Sequence, residues 1–324
     1  MCSQAGIKPV RLTNVNHMQL TGLIAAPHTP FNPDFTLNLE VVPHQARHLA
    51  ASGVKGVFVA GTTGECHSLS SDERAELFTV WGEAARAHGM KFIAHTGHNS
   101  LPDARALAKS AREAGADAIG AMAPTFFRPV TAGDLIDWFV RISEPAEGLP
   151  FYFYDIPPMT GVCIDTKELV QSAGKQIPSF AGVKYTNPDR NQLSTILTLD
   201  DHSPDMLWGC DEELLDGLQM GCRGAVGSSY NFAAGIYHRV MKAYESGDLD
   251  EAKHWQSRSL ALINTLKTSG YMHSAKTVME MVGIDCGPAR PPLSQLTDEE
   301  RVVLRGQLET LGFFEWLNEC TEAN

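Results

Sequence analysis

Eight short and almost continuously apolar segments constrain the fold of this 324-residue chain more than any other feature. They are residues 20–27, 54–61, 91–97, 117–124, 150–156, 179–186, 206–210 and 224–229. Their hydrophobicity does not alternate, which is typical of parallel strands that are buried on both faces. Because amphipathic helical segments separate them, the chain reads as a repeated βα unit. Eight such units predict a closed (β/α)8 barrel, the TIM barrel, with an open doubly wound sheet as the alternative.

The helical segments between the apolar runs begin with recognisable capping signals. Ser70 and Glu73 form a predicted capping box in front of a helix with apolar residues at helical spacing. Thr131 is placed to cap a second helix, and Asp211 is placed to cap a third. These residues predict where three of the barrel helices begin.

After about residue 248 the pattern becomes entirely helical. The predicted extra helices are residues 249–268, 272–283 and 297–311. No linker is long enough to separate a second domain. We therefore expect one domain, with an N-terminal extension (1–18), a barrel (19–247) and a C-terminal helical extension packed on the barrel (248–324).

Composition argues against several classes of partner. The formal net charge is −12 and the sequence pI is about 5.4, which disfavours binding to nucleic acid or to an anionic membrane surface. No apolar run approaches the ~20 residues that a membrane-spanning helix needs, and residues 1–19 lack the apolar core of a signal peptide. Seven scattered cysteines without a C-x-x-C pair favour a reducing compartment. We expect a cytoplasmic protein whose partners are small molecules.

The residues after the second apolar run form a candidate anion site. Catalytic and binding groups of such barrels lie where the strands end. The run ends in Gly61-Thr62-Thr63-Gly64-Glu65, where two hydroxyls and two glycines can leave backbone N–H groups free to converge on an anion. The Gly-Lys-Ser/Thr ending of a P-loop is missing. The alternative interpretation is an ordinary βα turn.

Lys184 lies inside the sixth apolar run. Burial disfavours the ammonium form, and a shift of ~3.4 pKa units from the usual value near 10.4 corresponds to about 4.6 kcal/mol. Only the neutral amine can attack a carbonyl carbon, and arginine cannot replace it in this role. We therefore predict that Lys184 is a Schiff-base nucleophile. The alternative is a strand-end lysine that reaches solvent, since buried lysines are rare.

Tyr152 and Tyr154 share one face of the fifth predicted strand, because strand side chains alternate. A tyrosine at the barrel mouth can carry protons, although packing is the more usual role. His44 and His48 stand four residues apart on a predicted helix, but no third metal ligand is evident. The sequence contains no dinucleotide-binding G-x-G-x-x-G loop after a strand. We expect neither a metal nor an organic cofactor.

These segments together resemble one family, the pyruvate-dependent class I aldolases that include dihydrodipicolinate synthase and N-acetylneuraminate lyase. The motifs that carry the resemblance are GTTGE at 61–65, YDIPPMTG at 154–161, GVKYTNPD at 182–189, WGCDEELLDG at 208–217 and GSSYN at 227–231. The resemblance extends from about Leu20 to Leu311, which is nearly the whole chain. It implies a (β/α)8 barrel that assembles as a homotetramer and uses no cofactor.

The same resemblance implies roles for particular residues. Lys184 would form the Schiff base with the ketone of pyruvate or of the donor sugar, and Tyr154 would shuttle protons. Thr62 and Thr63 would bind the carboxylate of pyruvate through hydroxyl and backbone donors. Thr186, two residues past the lysine, would contact the substrate chain.

Within the family, the sequence resembles the sialic acid lyases. The synthases carry an arginine in a motif like YNVPGRT that holds a second carboxylate, and this chain has Met159 at that position. The residues that would hold the hydroxyls of the sugar are Gly209, through its carbonyl, Asp211, Glu212 and Ser228. The implied reaction is reversible cleavage of N-acetylneuraminate to pyruvate and N-acetylmannosamine.

Two stretches depart from the family pattern. Many relatives have a tyrosine after strand four that reaches across the subunit interface, whereas this chain has Phe126 and Phe127, which cannot relay a proton. Met272 stands where some lyases place an aromatic side chain near the sugar tail. Alternative functions are a lyase or dehydratase for another 2-keto-3-deoxy sugar acid, a condensing synthase, and a non-catalytic barrel that binds a keto acid.

Overall fold

Eight parallel strands close into a barrel in which each strand pairs with the next and the first pairs with the eighth. The computed structural model describes residues 19–199 and 204–321. The strands are β1 (Gly22–Ala25), β2 (Gly56–Val59), β3 (Lys91–His95), β4 (Ala118–Met122), β5 (Phe151–Asp155), β6 (Phe180–Tyr185), β7 (Asp205–Trp208) and β8 (Gly224–Gly227). Each lies within or next to one of the eight apolar runs. The closed barrel confirms the predicted (β/α)8 fold and excludes the open sheet.

Helices surround the barrel between successive strands. They are α1 (Val42–Ala51), α2 (Ser71–Ala87), α3 (Leu101–Glu113), α4 (Ala132–Ser143), α5 (Pro157–Thr160), α6 (Thr166–Gln176), α7 (Arg190–Leu197), α8 (Leu214–Met220) and α9 (Tyr230–Glu245). Single 3-10 turns span Leu39–Val41, Cys66–Ser68, Glu144–Ala146 and Asp211–Glu213.

Two of the predicted helix starts are confirmed in atomic detail. The Ser70 hydroxyl accepts from the Glu73 N–H at 3.1 Å, while the Glu73 carboxylate accepts from the Ser70 N–H at 2.8 Å. Thr131 and Asp134 form the same reciprocal arrangement at the start of α4. Each capping box satisfies N–H groups that the first helical turn leaves without an intrahelical acceptor.

The predicted capping role of Asp211 is wrong. Asp211 lies inside the 3-10 turn before α8, and neither the turn nor α8 has a side-chain cap. Its carboxylate instead accepts from the N–H and the hydroxyl of Ser229, at the end of β8. Two donors from the segment that follows β8 therefore replace the local helix N–H groups as partners.

Two apolar layers explain why the strands read as continuous hydrophobic runs. One layer fills the barrel and includes Ile24, Phe58, Ile93, Tyr152 and Leu207. The other lies between the strands and the surrounding helices and includes Val57, Phe78, Phe92, Leu107 and Phe139. Because successive strand residues point into opposite layers, both faces of each strand are buried.

A tyrosine–aspartate contact lies at the amino-terminal end of the barrel. The Tyr152 hydroxyl donates to Asp205 Oδ2 at 2.9 Å, and the Leu20 N–H donates to the same oxygen at 2.9 Å. Burial raises the pKa of Asp205, while these two hydrogen bonds oppose the rise. The Tyr152 hydroxyl is therefore bound to Asp205 at the amino-terminal end of the barrel, although Tyr152 shares a strand face with Tyr154.

The three predicted extra helices are present as α10 (Leu249–Thr268), α11 (Tyr271–Met281) and α12 (Asp298–Leu311), and a further helix, α13 (Phe313–Thr321), was not predicted. Helices α10 and α13 pack against α9, so this tail lies on the barrel. The boundaries proposed for the barrel (19–247) and the extension (248–324) stay predictions, and residues 1–18 lie outside the described part.

Among the described helices, none combines the length and the apolar character that crossing a membrane requires.

Replacing Tyr152 by Phe should lower the free energy of unfolding by roughly 1–3 kcal/mol, because the partly buried Asp205 carboxylate loses one of its donors. Urea denaturation at neutral pH measures the difference. Tyr244→Phe, at a half-buried tyrosine of α9, serves as the control and should change the stability by less than about 0.5 kcal/mol. Equal losses in the two variants would contradict the structural role of the Tyr152–Asp205 contact.

Candidate active site

The sequence-predicted site residues lie at one end of the barrel, because the carboxyl ends of parallel strands share one edge. They are Thr62 and Thr63 after β2, Tyr154 on β5, Lys184 and Thr186 at the end of β6, Gly209, Asp211 and Glu212 after β7, and Ser228 after β8. Five strands thus contribute to one mouth of the barrel.

Lys184 is buried against two aromatic rings. Its side chain enters the barrel near the end of β6, the residue is only 4% exposed, and its Nζ lies 4.5 Å from the ring centroid of Phe58 and 3.8 Å from that of Tyr154. The alternative of a solvent-reaching lysine is therefore wrong. Burial lowers the pKa of Lys184 from 10.5 to about 7, although the charge of Asp211 acts in the opposite direction. A large fraction of this amine is uncharged at neutral pH.

Tyr154 stands directly beside Lys184, since the two residues are register partners on β5 and β6. Its hydroxyl lies 3.2 Å from the Thr62 hydroxyl. Burial raises the pKa of Tyr154, and hydrogen bonds with Thr62 and Thr186 oppose that rise. The resting phenol is therefore protonated and is placed as a proton donor next to the amine.

The GTTGE loop at 61–65 follows β2 at the mouth of the barrel. The loop folds back on itself, with the Glu65 N–H donating to the Thr62 carbonyl at 3.0 Å and the Cys66 N–H donating to the Gly61 carbonyl at 3.2 Å. The N–H groups of Thr62, Thr63 and Gly64 have no acceptor within the described part of the chain. Such successive free N–H groups form an anion-binding concavity.

Gly209 and Thr186 fit closely together at the ends of β7 and β6. The Thr186 hydroxyl lies 3.4 Å from the Gly209 carbonyl oxygen. A Cβ atom on Gly209 would stand only 2.0 Å from the Thr186 Oγ1 and 2.8 Å from the Tyr185 carbonyl oxygen. The position therefore requires glycine because of this close approach.

Asp211 is buried beside the two serines that follow β8. Its Oδ2 accepts from the Ser229 N–H at 2.8 Å and from the Ser229 hydroxyl, and the Ser228 hydroxyl lies 3.5 Å away. Burial and the neighbouring Glu212 raise the pKa of Asp211, while the bonds from Ser229 lower it. With Oδ2 engaged, Oδ1 is the oxygen that can accept from a ligand.

Two contacts come from the C-terminal helices and were not predicted. Lys267 of α10 donates to Glu212 at 2.8 Å at the rim of the site, so the charge of Glu212 is paired. The hydroxyl of Tyr271, at the start of α11, lies 2.6 Å from that of Ser228. An aromatic side chain therefore reaches this region from Tyr271 and not from Met272.

The sequence suggests that His95 belongs to the loop after the third strand, whereas the structure makes it the last residue of β3 and a neighbour of Tyr154. Its ring is completely buried, with Nδ1 2.9 Å from the Ala60 carbonyl oxygen and with the ring edge-on to Tyr154 at a centroid distance of 6.0 Å. Burial and the nearby Arg74 guanidinium place the pKa of His95 well below its usual value, so the ring is neutral. The only available signal was a polar residue inside an apolar run.

The two histidines that stand four residues apart lie on α1, away from these residues. The ring Nε2 of His48 lies 2.9 Å from the Asn231 carbonyl oxygen, and His44 is exposed. In the described residues, no three His, Cys, Asp or Glu side chains gather as metal ligands.

A buried amine with a lowered pKa, a neighbouring phenol and free N–H donors at the mouth of a (β/α)8 barrel define a class of protein. They are the nucleophile, proton carrier and anion site that Schiff-base chemistry on a keto acid requires. The fold and the site thus have the parts of a class I aldolase.

Comparison with known proteins assigns the chain to a family. The model of the dihydrodipicolinate synthetase family matches residues 19–311, and the chain belongs to this family. It is 36% identical over 279 residues to N-acetylneuraminate lyase of Danio rerio, covering 85% of this chain and 91% of that one. It is 35% identical over 300 residues to N-acetylneuraminate lyase of Mus musculus, covering 91% and 93% respectively. The resemblance inferred from the motifs is confirmed.

The fold is similar to that of a solved structure. N-acetylneuraminate lyase of Proteus mirabilis superimposes with a TM-score of 0.88 at 34% sequence identity. The match covers 91% of this chain and 100% of that one.

Reductive methylation should modify Lys184 with a pH dependence centred near 7. Because burial lowers its pKa to about 7, the ammonium form dominates below that pH and the reactive amine dominates above it. Labelling with formaldehyde and borohydride between pH 5.5 and 9.5, followed by peptide mass spectrometry, should show a rate that rises and then levels off above pH 8. The exposed Lys109 is the internal control for the labelling reaction. A Lys184 profile that follows that of Lys109 would contradict a buried, neutral amine.

Proposed function

We propose that this protein is an N-acetylneuraminate lyase, a carbon–carbon lyase that cleaves the sugar acid reversibly to pyruvate and N-acetylmannosamine through an imine on Lys184. The observation that carries the proposal is the burial of Lys184 beside Tyr154, which lowers the pKa of the amine to about 7. The names of the relatives support the choice of sugar acid. The reaction needs no metal or organic cofactor, because the protonated imine is itself the electron sink.

The GTTGE loop binds the carboxylate of the substrate in this proposal. The free N–H groups of Thr62 and Thr63, with their hydroxyls, donate to the carboxylate oxygens. These donors matter because the protein as a whole carries a net charge of −12. A carboxylate held there orients the adjacent ketone toward Lys184, and Thr186 contacts the chain of the substrate from the end of β6.

Imine formation begins with attack of the neutral Lys184 amine on the ketone carbon of the open-chain sugar acid. The resulting carbinolamine loses its hydroxyl as water, and Tyr154 supplies the proton that this departure needs. The products of the step are a protonated imine on Lys184 and a tyrosinate. The adjacent positive charge stabilises the tyrosinate, which the resting site disfavours.

Carbon–carbon cleavage then uses the tyrosinate as a base. Tyr154 removes the proton of the hydroxyl on the carbon next to the breaking bond, and that carbon becomes the aldehyde of N-acetylmannosamine. The electron pair of the broken bond moves toward the imine nitrogen and gives an enamine. Tyr154 returns the proton to the enamine carbon and is again a tyrosinate. Water then hydrolyses the protonated imine to pyruvate and the neutral Lys184 amine, and the proton released in this step returns to Tyr154 and restores the phenol. Each proton that Tyr154 takes is thus given back within the cycle.

The sugar hydroxyls are held by the acidic segment after β7 and by the serine after β8. Asp211 offers Oδ1, Gly209 offers its carbonyl, and Glu212 and Ser228 lie on the rim of the same cluster. A hydrogen bond from a hydroxyl to a carboxylate contributes roughly 1.5–3 kcal/mol. These carboxylates would repel a second anionic group. The exposed Met159 supplies no cation for one, which disfavours condensation with aspartate semialdehyde.

We further propose that the protein is a cytoplasmic homotetramer. Support for assembly comes from four exposed apolar side chains that follow β4 and β5, three in the loop after β4 and one on α5, at the same end of the barrel. They are Phe126, Phe127, Val130 and Met159. Exposed apolar patches of this kind are typical of interaction surfaces. Support for the compartment comes from the six described cysteines, which are free thiols.

Incubation with N-acetylneuraminate should release pyruvate, which lactate dehydrogenase and NADH measure continuously. Borohydride added in the presence of pyruvate should fix one adduct on Lys184, and peptide mass spectrometry should find none on Lys276, the other lysine that is buried in the described residues. Lys184→Met should abolish both signals. The proposal fails if the adduct is on another lysine, or if pyruvate and aspartate semialdehyde condense faster than the sugar acid is cleaved.

Tyr154→Phe should reduce turnover of N-acetylneuraminate by ~10²–10⁴-fold, the usual contribution of a general acid–base group. Tyr152→Phe is the matched control, since it removes a hydroxyl from the same face of the same strand, where the partner is Asp205. Its turnover should stay within about threefold of the unmodified protein when both are assayed well below their melting temperatures. Near-normal turnover in the Tyr154 variant would falsify its role as the proton carrier.

A further inference from the structure

The loop that presents the candidate anion site has an unfavourable backbone conformation at both ends. Ala60 and Glu65 flank the segment 61–64, and they have φ angles of 53° and 56°. Residues with a Cβ atom rarely adopt this left-handed region, and they do so only where the surroundings hold them there. The loop therefore depends on contacts that fix its ends.

At the amino-terminal end of the loop, a residue of β3 contacts Ala60. The His95 ring nitrogen Nδ1 lies 2.9 Å from the Ala60 carbonyl oxygen. The Arg74 guanidinium in turn donates to the His95 carbonyl and, at 2.9 Å, to the Gly97 carbonyl. These partners all belong to the barrel and its first helices.

At its second end, the loop is held by a completely buried ion pair with the C-terminal extension. Glu65 Oε1 lies 2.9 Å from the Nζ of Lys276, which belongs to α11, and the two side chains are only 1% and 2% exposed. The other carboxylate oxygen of Glu65 accepts from the backbone N–H of Arg290 at 2.7 Å. Lys276 also donates to the carbonyls of Thr29 at 2.8 Å and Pro288 at 2.7 Å.

Glu65, the acidic member of this pair, also closes the loop through its backbone. The Glu65 N–H closes the loop by donating to the Thr62 carbonyl at 3.0 Å. If Glu65 left its left-handed conformation, that bond would break and the peptide planes of Thr62 and Thr63 would rotate. The orientation of their N–H groups therefore depends on the carboxylate that Lys276 holds.

We propose that Lys276 is a positioning residue for the substrate carboxylate: through Glu65 it holds residues 61–65 in the conformation that directs the Thr62 and Thr63 donors into the site. This inference rests on the proposed function, because it assigns the anion to that site. It gives α11 a part in substrate recognition although Lys276 does not contact the substrate. It also predicts that loss of Lys276 weakens recognition of the carboxylate and leaves the attacking amine of Lys184 intact.

Lys276→Met tests the inference through two ligands that differ in charge. The concentration that half-saturates borohydride trapping on Lys184 is measured for pyruvate and for methyl pyruvate, whose ester carries no charge. In the unmodified protein, the half-saturating concentration should be much lower for pyruvate than for methyl pyruvate. In the variant the half-saturating concentration of pyruvate should rise by about tenfold or more and that of methyl pyruvate should change little. A merely structural role would lower the melting temperature and leave the ratio of the two ligands unchanged.

Two further variants complete the test. Glu65→Gln keeps the volume of the side chain and an acceptor for Arg290 but removes the charge. It should shift the ratio of the two half-saturating concentrations in the same direction as Lys276→Met. It replaces Lys276→Met as the test if that variant does not fold. Glu280→Gln is the control. Glu280 lies on α11, as Lys276 does, and its exposed ion pair with Arg301 of α12 is lost in this variant. The ratio should stay unchanged. A folded Lys276 or Glu65 variant with the unmodified ratio overturns the inference. Absence of any Lys184 adduct in the unmodified protein overturns the proposed function instead.

Discussion

The burial of one amine is the constraint on which the rest of the site depends. Lys184 loses solvation because the interior of the barrel is filled by rings such as Phe58 and Tyr154, and this loss lowers its pKa to about 7. A buried cation is costly unless it is paired, and the nearby Asp211 offsets only part of the desolvation. The site thus keeps an amine close to the boundary between charged and neutral, where it can both attack a carbonyl and later be released.

The electrostatics of the surrounding residues follow from this requirement. Carboxylates placed against Lys184 would hold it as an ammonium ion, yet the proposed sugar site needs carboxylates. The structure separates the two demands: Asp211 is engaged by Ser229 and its own pKa is raised, while Glu212 is paired with Lys267 at the rim. Local hydrogen bonds and one added cation thus limit the negative charge near the amine.

The fold and the placement of Lys184 and Tyr154 at the barrel mouth could be predicted from the sequence because their signals are local. Apolar runs identified all eight strands, and Lys184 and Tyr154 were recognised by their positions within such runs and by the motifs around them. The partners of these residues could not be predicted, since each comes from a distant segment. Lys267 reaches Glu212, Tyr271 reaches Ser228, and Lys276 reaches Glu65 only after the C-terminal helices fold back. Asp211 was assigned as a helix cap, but the donors of Ser229, after β8, take the place of the local ones.

The position of α11 in the chain has a consequence for synthesis of the protein. Ribosomes make the polypeptide from its amino terminus, so the last barrel strand, which ends at Gly227, emerges well before Tyr271 and Lys276. The loop at 61–65 and all eight strands are therefore synthesised before the buried counter-ion of Glu65 exists. In the proposed role of Lys276, the loop at 61–65 reaches its substrate-holding conformation only after α11 has been synthesised.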